Sequence, residues 1–192
     1  MYFVKEESNQ TLEEKKSKFI AHLCPYKDFE KVMLRLRQEH PKARHFVYAY
    51  RFLNEYEQIV ENCSDDGEPK GTSGKPSLNV LAGNELINSA VIIIRYFGGI
   101  KLGTGGLVRA YSDAVNLVIK NSELIKYEKL EKLILQCDYN LLSKVEYILN
   151  SLNISIVNKE FTTDVVLTLE LTIEQTTKLK LELPREVLIS NK

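Results

Sequence analysis

Two stretches of this 192-residue chain concentrate the residue types that do chemistry. In the first, Arg95, Gly98, Gly99, Lys101, Gly103, Gly105, Gly106 and Arg109 follow an apolar run with strand character and lead into an amphipathic helical pattern. A strand, a glycine loop and a helix in that order leave backbone N–H groups unpaired at the helix start, an arrangement that can cradle a phosphate or other anion. The loop fits no nucleotide fingerprint. Gly98 and Gly103 have P-loop spacing, but Thr104 stands where the lysine is required and Val108 breaks G-x-G-x-x-G. The competing reading is structural: the glycines let the chain pass tightly over a sheet, and Arg95 and Arg109 are neutralised by the protein's own carboxylates.

The second stretch is Ser64-Asp65-Asp66-Gly67-Glu68-Pro69-Lys70-Gly71-Thr72-Ser73-Gly74-Lys75-Pro76, too rich in turn residues for a regular element. Asp65, Asp66 and Glu68 offer oxygen ligands for a cation such as Mg²⁺, but not at EF-hand spacing. They serve equally well as partners of Arg95, Lys101 or Arg109, or as caps of local turns. No metal site and no cofactor are expected. Of the three histidines, His22, His40 and His45, none belongs to a nucleophile motif such as G-x-S-x-G, so no catalytic residue is assigned. His45, beside Arg44 at the head of a strand, is the one candidate for a site. Phe46, Tyr48, Tyr50 and Phe52 share one face of that strand, as a core face does and as a base-stacking platform would.

The composition frames these candidates. Lys and Arg number 26, Asp and Glu 26, and the net charge of zero confines any basic surface to a local patch. The N-terminal MYFVKEESNQTLEEKK has neither the basic start nor the apolar stretch of a secretion signal, and no apolar run approaches the roughly 18 residues of a membrane span. A cytoplasmic protein without membrane contact is expected. Cys24, Cys63 and Cys137 lie far apart with no C-x-x-C pair, as reduced thiols do.

All nine glycines fall between Gly67 and Gly106, which places the special geometry in the middle of the chain and plain scaffold after it. Strands are predicted over 18–24, 45–53, 57–62 and 89–97. Helices are expected from Asp28 to about His40, from Pro76 to Leu81, and from about Gly105, the last turning Leu107, Val108, Tyr111, Val115, Val118 and Ile119 toward the sheet. The remainder has the order β-α-β-β-α-β: a strand to Cys137, a helix with Leu141, Leu142, Val145, Ile148, Leu149 and Leu152 on one face, strands 154–159 and 165–173, a helix stopped by Pro184, and a last strand 187–190. The fold class is α+β, with an α/β sandwich over 1–126 and a small ferredoxin-like domain over 127–192.

SDDGEPKGTSGKP (Ser64 to Pro76) and RYFGGIKLGTGGLVRAYS (Arg95 to Ser112) resemble the two signature stretches of the Impact/YigZ family, and Arg44-His45 before a strand also matches. The spacing and the small second domain are similar to the bacterial two-domain members. The resemblance implies a first domain like a ribosomal-protein domain also found in elongation factor G, a ferredoxin-like second domain, and a setting in translation. The resemblance implies that eukaryotic relatives are regulators of the starvation-responsive initiation kinase, competing for its ribosome-associated activator, a role that does not carry over to a bacterial-type two-domain chain. The implied function is therefore a non-enzymatic, translation-linked regulatory or binding protein. Its expected partners are RNA, the ribosome or a ribosome-associated regulatory protein, met through Arg95, Lys101, Arg109 and the backbone of Gly98 to Gly106. The alternatives are a metal-assisted enzyme acting on a phosphorylated or nucleotide small molecule through Asp65, Asp66 and Glu68, and a protein-interaction scaffold.

Overall fold

The computed structural model describes residues 1–191 and divides the chain into two units, Met1–Tyr127 and Glu128–Lys192.

In the first unit the elements run β1 (Tyr2–Val4), β2 (Ser8–Glu14), β3 (Ser17–Pro25), α1 (Phe29–Glu39), β4 (His45–Leu53), β5 (Ile59–Ser64), α2 (Gly74–Gly83), β6 (Ser89–Tyr96), α3 (Gly103–Lys120) and β7 (Leu124–Lys126). Five strands form an antiparallel sheet in the order β2-β3-β6-β4-β5, and β1 pairs with β7 apart from it. The central strand β6 explains its own apolar run. Ala90, Ile92 and Ile94 face one core with Phe29, Val32, Met33 and Leu36 of α1, while Val91 and Ile93 face the other with Leu78, Leu81, Leu107, Tyr111, Val115 and Val118 of α2 and α3. A strand covered on both sides has no polar face to show, so alternation disappears from its sequence.

Several elements depart from expectation, among them the short strands β1 and β7, for which no strand is predicted. β2 was not foreseen: it is an edge strand of sequence SNQTLEE in which only Leu12 packs on the core, and without an apolar face there is no period to detect. Val108 points away from the sheet and is 38% exposed, the small residues Ala110 and Ala114 being buried there instead. The strand expected to reach Ile173 stops at Leu171.

The second unit contains β8 (Glu131–Cys137), α4 (Tyr139–Ser151), β9 (Ile156–Phe161), β10 (Val165–Leu171), α5 (Ile173–Glu182) and β11 (Leu188–Asn191). Its antiparallel sheet has the order β11-β8-β10-β9, the arrangement in which two split β-α-β units interleave in ferredoxin-like domains. Val165, Leu167, Leu169 and Leu171 bury against Val145, Ile148 and Leu149. Ile173 continues the alternation in sequence but not in structure. Thr172 accepts a hydrogen bond from the Gln175 N–H while the Gln175 side chain accepts from the Thr172 N–H, and this capping box starts a helix that leaves Ile173 69% exposed. Among the described residues no helix is long and apolar enough to cross a membrane.

Candidate basic cleft

Sheet register builds the floor of the site. Phe19 of β3 pairs with Arg95 of β6, and Arg95 pairs with His45 of β4, so three residues far apart in sequence form one row across the sheet. Phe19 belongs to the core beneath α2 and α3, which fixes the face on which this row lies. Arg95 is nearly buried, and its Nη1 donates to Glu68 Oε1 at 2.6 Å. Tyr111 Oη, from α3, donates to the same oxygen at 2.8 Å. Burial and the adjacent Glu68 carboxylate push the Tyr111 hydroxyl far above its usual range, so it remains a donor. Arg95 is thus a buried ion-pair partner and not the open anion contact that its place before the glycines suggested.

The acidic loop is consumed in the same way. Asp65 accepts hydrogen bonds from the N–H groups of Gly71, Ser73 and Gly74 and from the Ser73 hydroxyl, at 2.7–3.1 Å, which caps α2 and closes the loop upon itself. Partial burial raises the affinity of this carboxyl for a proton, but the four hydrogen bonds outweigh it and hold Asp65 below the usual carboxylate range. Asp66 Oδ2 accepts from the Phe46 N–H at 2.6 Å, and the Asp66 carbonyl lies 2.8 Å from His45 Nδ1. That carbonyl can only accept, so Nδ1 carries the proton and Nε2 of a neutral ring is an acceptor. The three carboxylates therefore point to three separate internal tasks. Among the described residues no group of three or more His, Cys, Asp or Glu is placed to hold a metal ion.

The glycine loop does the opposite. Gly98 is the point where it touches the rest of the fold: a Cβ there would lie 1.9 Å from the backbone carbon of Lys16 in the β2–β3 turn, and the Gly98 N–H donates to the Ser17 hydroxyl at 3.1 Å. Only glycine permits that approach. Past it the chain opens. Leu102, at the cap position of α3, supplies no side-chain hydrogen bond, and the first turn holds no acidic residue. The N–H groups of that turn and the positive end of the helix dipole are therefore uncompensated by side chains.

A cleft of about 660 Å³ runs in front of this turn. Arg44, His45, Glu68, Arg95, Lys101 and Gly103 line it, together with Lys42, Tyr96, Phe97 and Thr104, which were not anticipated. Glu68 is the single carboxylate in the lining and is already paired, whereas the side chains of Lys42, Arg44 and Lys101 have no hydrogen-bond or ion-pair partner among the described residues. The cleft therefore carries net positive charge and free donors, which is what an anion requires. Gly98, Gly99, Gly105, Gly106 and Arg109 lie outside the lining, as do Gly67, Lys70, Gly71, Thr72, Gly74 and Lys75; Thr72 and Gly74 are buried, and Arg109 is exposed along α3. A second cavity, of about 520 Å³, contains Pro25, Tyr26, Phe52 and Asn88, with Lys5 and Lys27 its only charged members.

The family model for the Impact N-terminal domain matches residues 15–119. The chain belongs to the IMPACT family. The match runs from the β2–β3 turn to the end of α3, so both loops and the whole cleft lie within the IMPACT domain, while β1, β2 and β7 lie outside it. A domain of unknown function, DUF1949, matches residues 135–184 in the second unit. An IMPACT family member of Haemophilus influenzae is 39% identical over 169 residues, covering 83% of this chain and 81% of that one. The IMPACT family member YigZ of Escherichia coli is 36% identical over 156 residues, covering 80% and 76%. A crystal structure of a hypothetical protein superposes with a TM-score of 0.67 at 30% identity, covering 100% of this chain and 96% of its own.

Proposed function

We propose that this IMPACT family member is a translation-linked regulatory binding protein of the cytoplasm. It contacts RNA phosphate, on the ribosome or free, or an anionic group of a ribosome-associated protein, through the cleft before α3. The observation that carries the reading is the imbalance of the cleft. Among the described residues three cations, Lys42, Arg44 and Lys101, stand without a partner around a helix start that no side chain caps, and the one lining carboxylate is bound to Arg95. An uncompensated cluster of this kind is costly in self-repulsion and is relieved by an anionic ligand. The translation setting follows from the family resemblance.

The test is cosedimentation with ribosomes, their separated subunits and total RNA at several salt concentrations. The control is the pair Arg44→Glu and Lys101→Glu, both exposed and therefore reversible without disturbing the fold. Salt-sensitive cosedimentation that the double variant loses is the expected result. Equal binding by the variant, or no binding at low salt, would overturn the reading.

A further inference from the structure

We propose that the cleft and the exposed start of α3 beside it take a single-stranded nucleic acid, with a phosphate over the first turn of α3 at Gly105, next to the lining residues Gly103 and Thr104, and the neighbouring base stacked on Phe97. The inference rests on the anion-binding reading above and names its ligand class.

Three observations meet at this place. Phe97 lines the cleft yet is 60% exposed, a large aromatic face held at the mouth of a basic cavity. Its ring is not loose: the Arg95 guanidinium carbon lies 5.8 Å from the ring centroid, and the peptide following Phe97 is tied down by the Gly98 contact with Ser17. Arg95 itself, with a side chain only 9% exposed, leaves Nε buried without a partner. A fixed, exposed ring over a cation presents the π-face that any base can stack upon, and so confers preference for unpaired strands without sequence choice.

Gly105 supplies the second contact. It sits within the first turn of α3, is exposed, and a Cβ there would have nothing within 4 Å. Nothing in the fold requires glycine at this position, and glycine inside a helix is unfavourable relative to alanine. Close approach by a group outside the chain accounts for it, at the point where the helix N–H groups are free. Exposed lysines alone would attract duplex and single strand alike. The stacking ring beside the phosphate position is what separates them.

The experiment is fluorescence anisotropy with a labelled RNA decanucleotide of mixed sequence, single-stranded and as a duplex, across a salt series. The single strand is expected to bind more tightly than the duplex. Phe97→Ala should weaken single-strand binding roughly 5- to 150-fold with an unchanged salt slope, and Phe97→Tyr should restore it. Lys101→Gln should instead reduce the slope by about 0.7. Equal affinity of Phe97→Ala and the parent chain, or equal affinity for duplex and single strand, overturns the stacking inference while leaving the anion site standing. Ribosome cosedimentation lost in the Arg44→Glu, Lys101→Glu variant, without any binding of the free single strand, also overturns it and leaves folded ribosomal RNA or an anionic protein surface as the ligand. If neither RNA nor ribosome is bound, the functional reading itself fails.

Discussion

The acidic loop at 64–76 and the glycine loop at 97–106 look alike in sequence, both dense in glycine and lacking a regular pattern, and they have opposite fates in the fold. In the acidic loop Asp65 meets three backbone N–H groups and a hydroxyl, Asp66 holds the start of β4, and Glu68 joins Arg95 and Tyr111. In the glycine loop the helix start has no side-chain cap and Lys101 has no partner among the described residues. What distinguishes a loop that holds a protein together from one that meets a ligand is thus the accounting of donors and acceptors, not their density. The carboxylates of the first loop are satisfied from within, whereas the helix N–H groups and Lys101 of the second await something outside.

The sharpest way to break this contrast is to remove Glu68. Glu68→Ala leaves Arg95 as a buried unpaired cation and Tyr111 without its acceptor, and should destabilise the first unit by about 3–5 kcal/mol in urea unfolding. A loss below about 1 kcal/mol would mean that the carboxylate is exposed to ligand after all. Asp65→Ala comes next, at about 0.5–2 kcal/mol, the usual cost of a lost N-terminal cap. Its pH dependence has a fixed sign. Because the folded pKa of Asp65 is depressed, its contribution is complete above the unfolded value of about 3.9 and is lost as pH falls through the lower folded value. Asp65→Asn should therefore unfold with a shallower acid limb than the parent chain in a urea series carried from pH 6 to pH 2, and an identical limb would assign acid unfolding to other carboxylates.

How much of this was visible in advance depends on whether the relevant partner is near in sequence. Asp65 lies within nine residues of all its donors, and capping of a local turn was among the readings its sequence allowed. Pairing of Glu68 with Arg95 was another, since both are charged and both flank glycines, but Tyr111 as a third member was not, because it reads as an ordinary core residue on the buried face of α3. Lys42 and Phe97 carry no local signal. They become part of the cleft only because β4 and β6 are adjacent in the sheet, a pairing set by residues far from either. The same distinction explains the fold: β6, α4 and β10 announce themselves by apolar pattern, whereas β2, held at the edge by hydrogen bonds with β3, has no pattern to show.

The smallest expected effect is the most discriminating, because its sign differs between stability and binding. Gly105→Ala places a methyl where the fold has open space. It should stabilise the first unit by about 0.5 kcal/mol through the lower entropy cost of alanine in a helix, measured as a shift of the urea midpoint at constant slope. The same methyl would stand between the helix N–H groups and an approaching phosphate, so affinity for the single-stranded decanucleotide should fall. A glycine retained for packing would give a loss of stability, and a glycine retained by neither demand would give a gain in stability with binding unchanged. Only a ligand that reaches the helix start makes the better-folded variant the poorer binder.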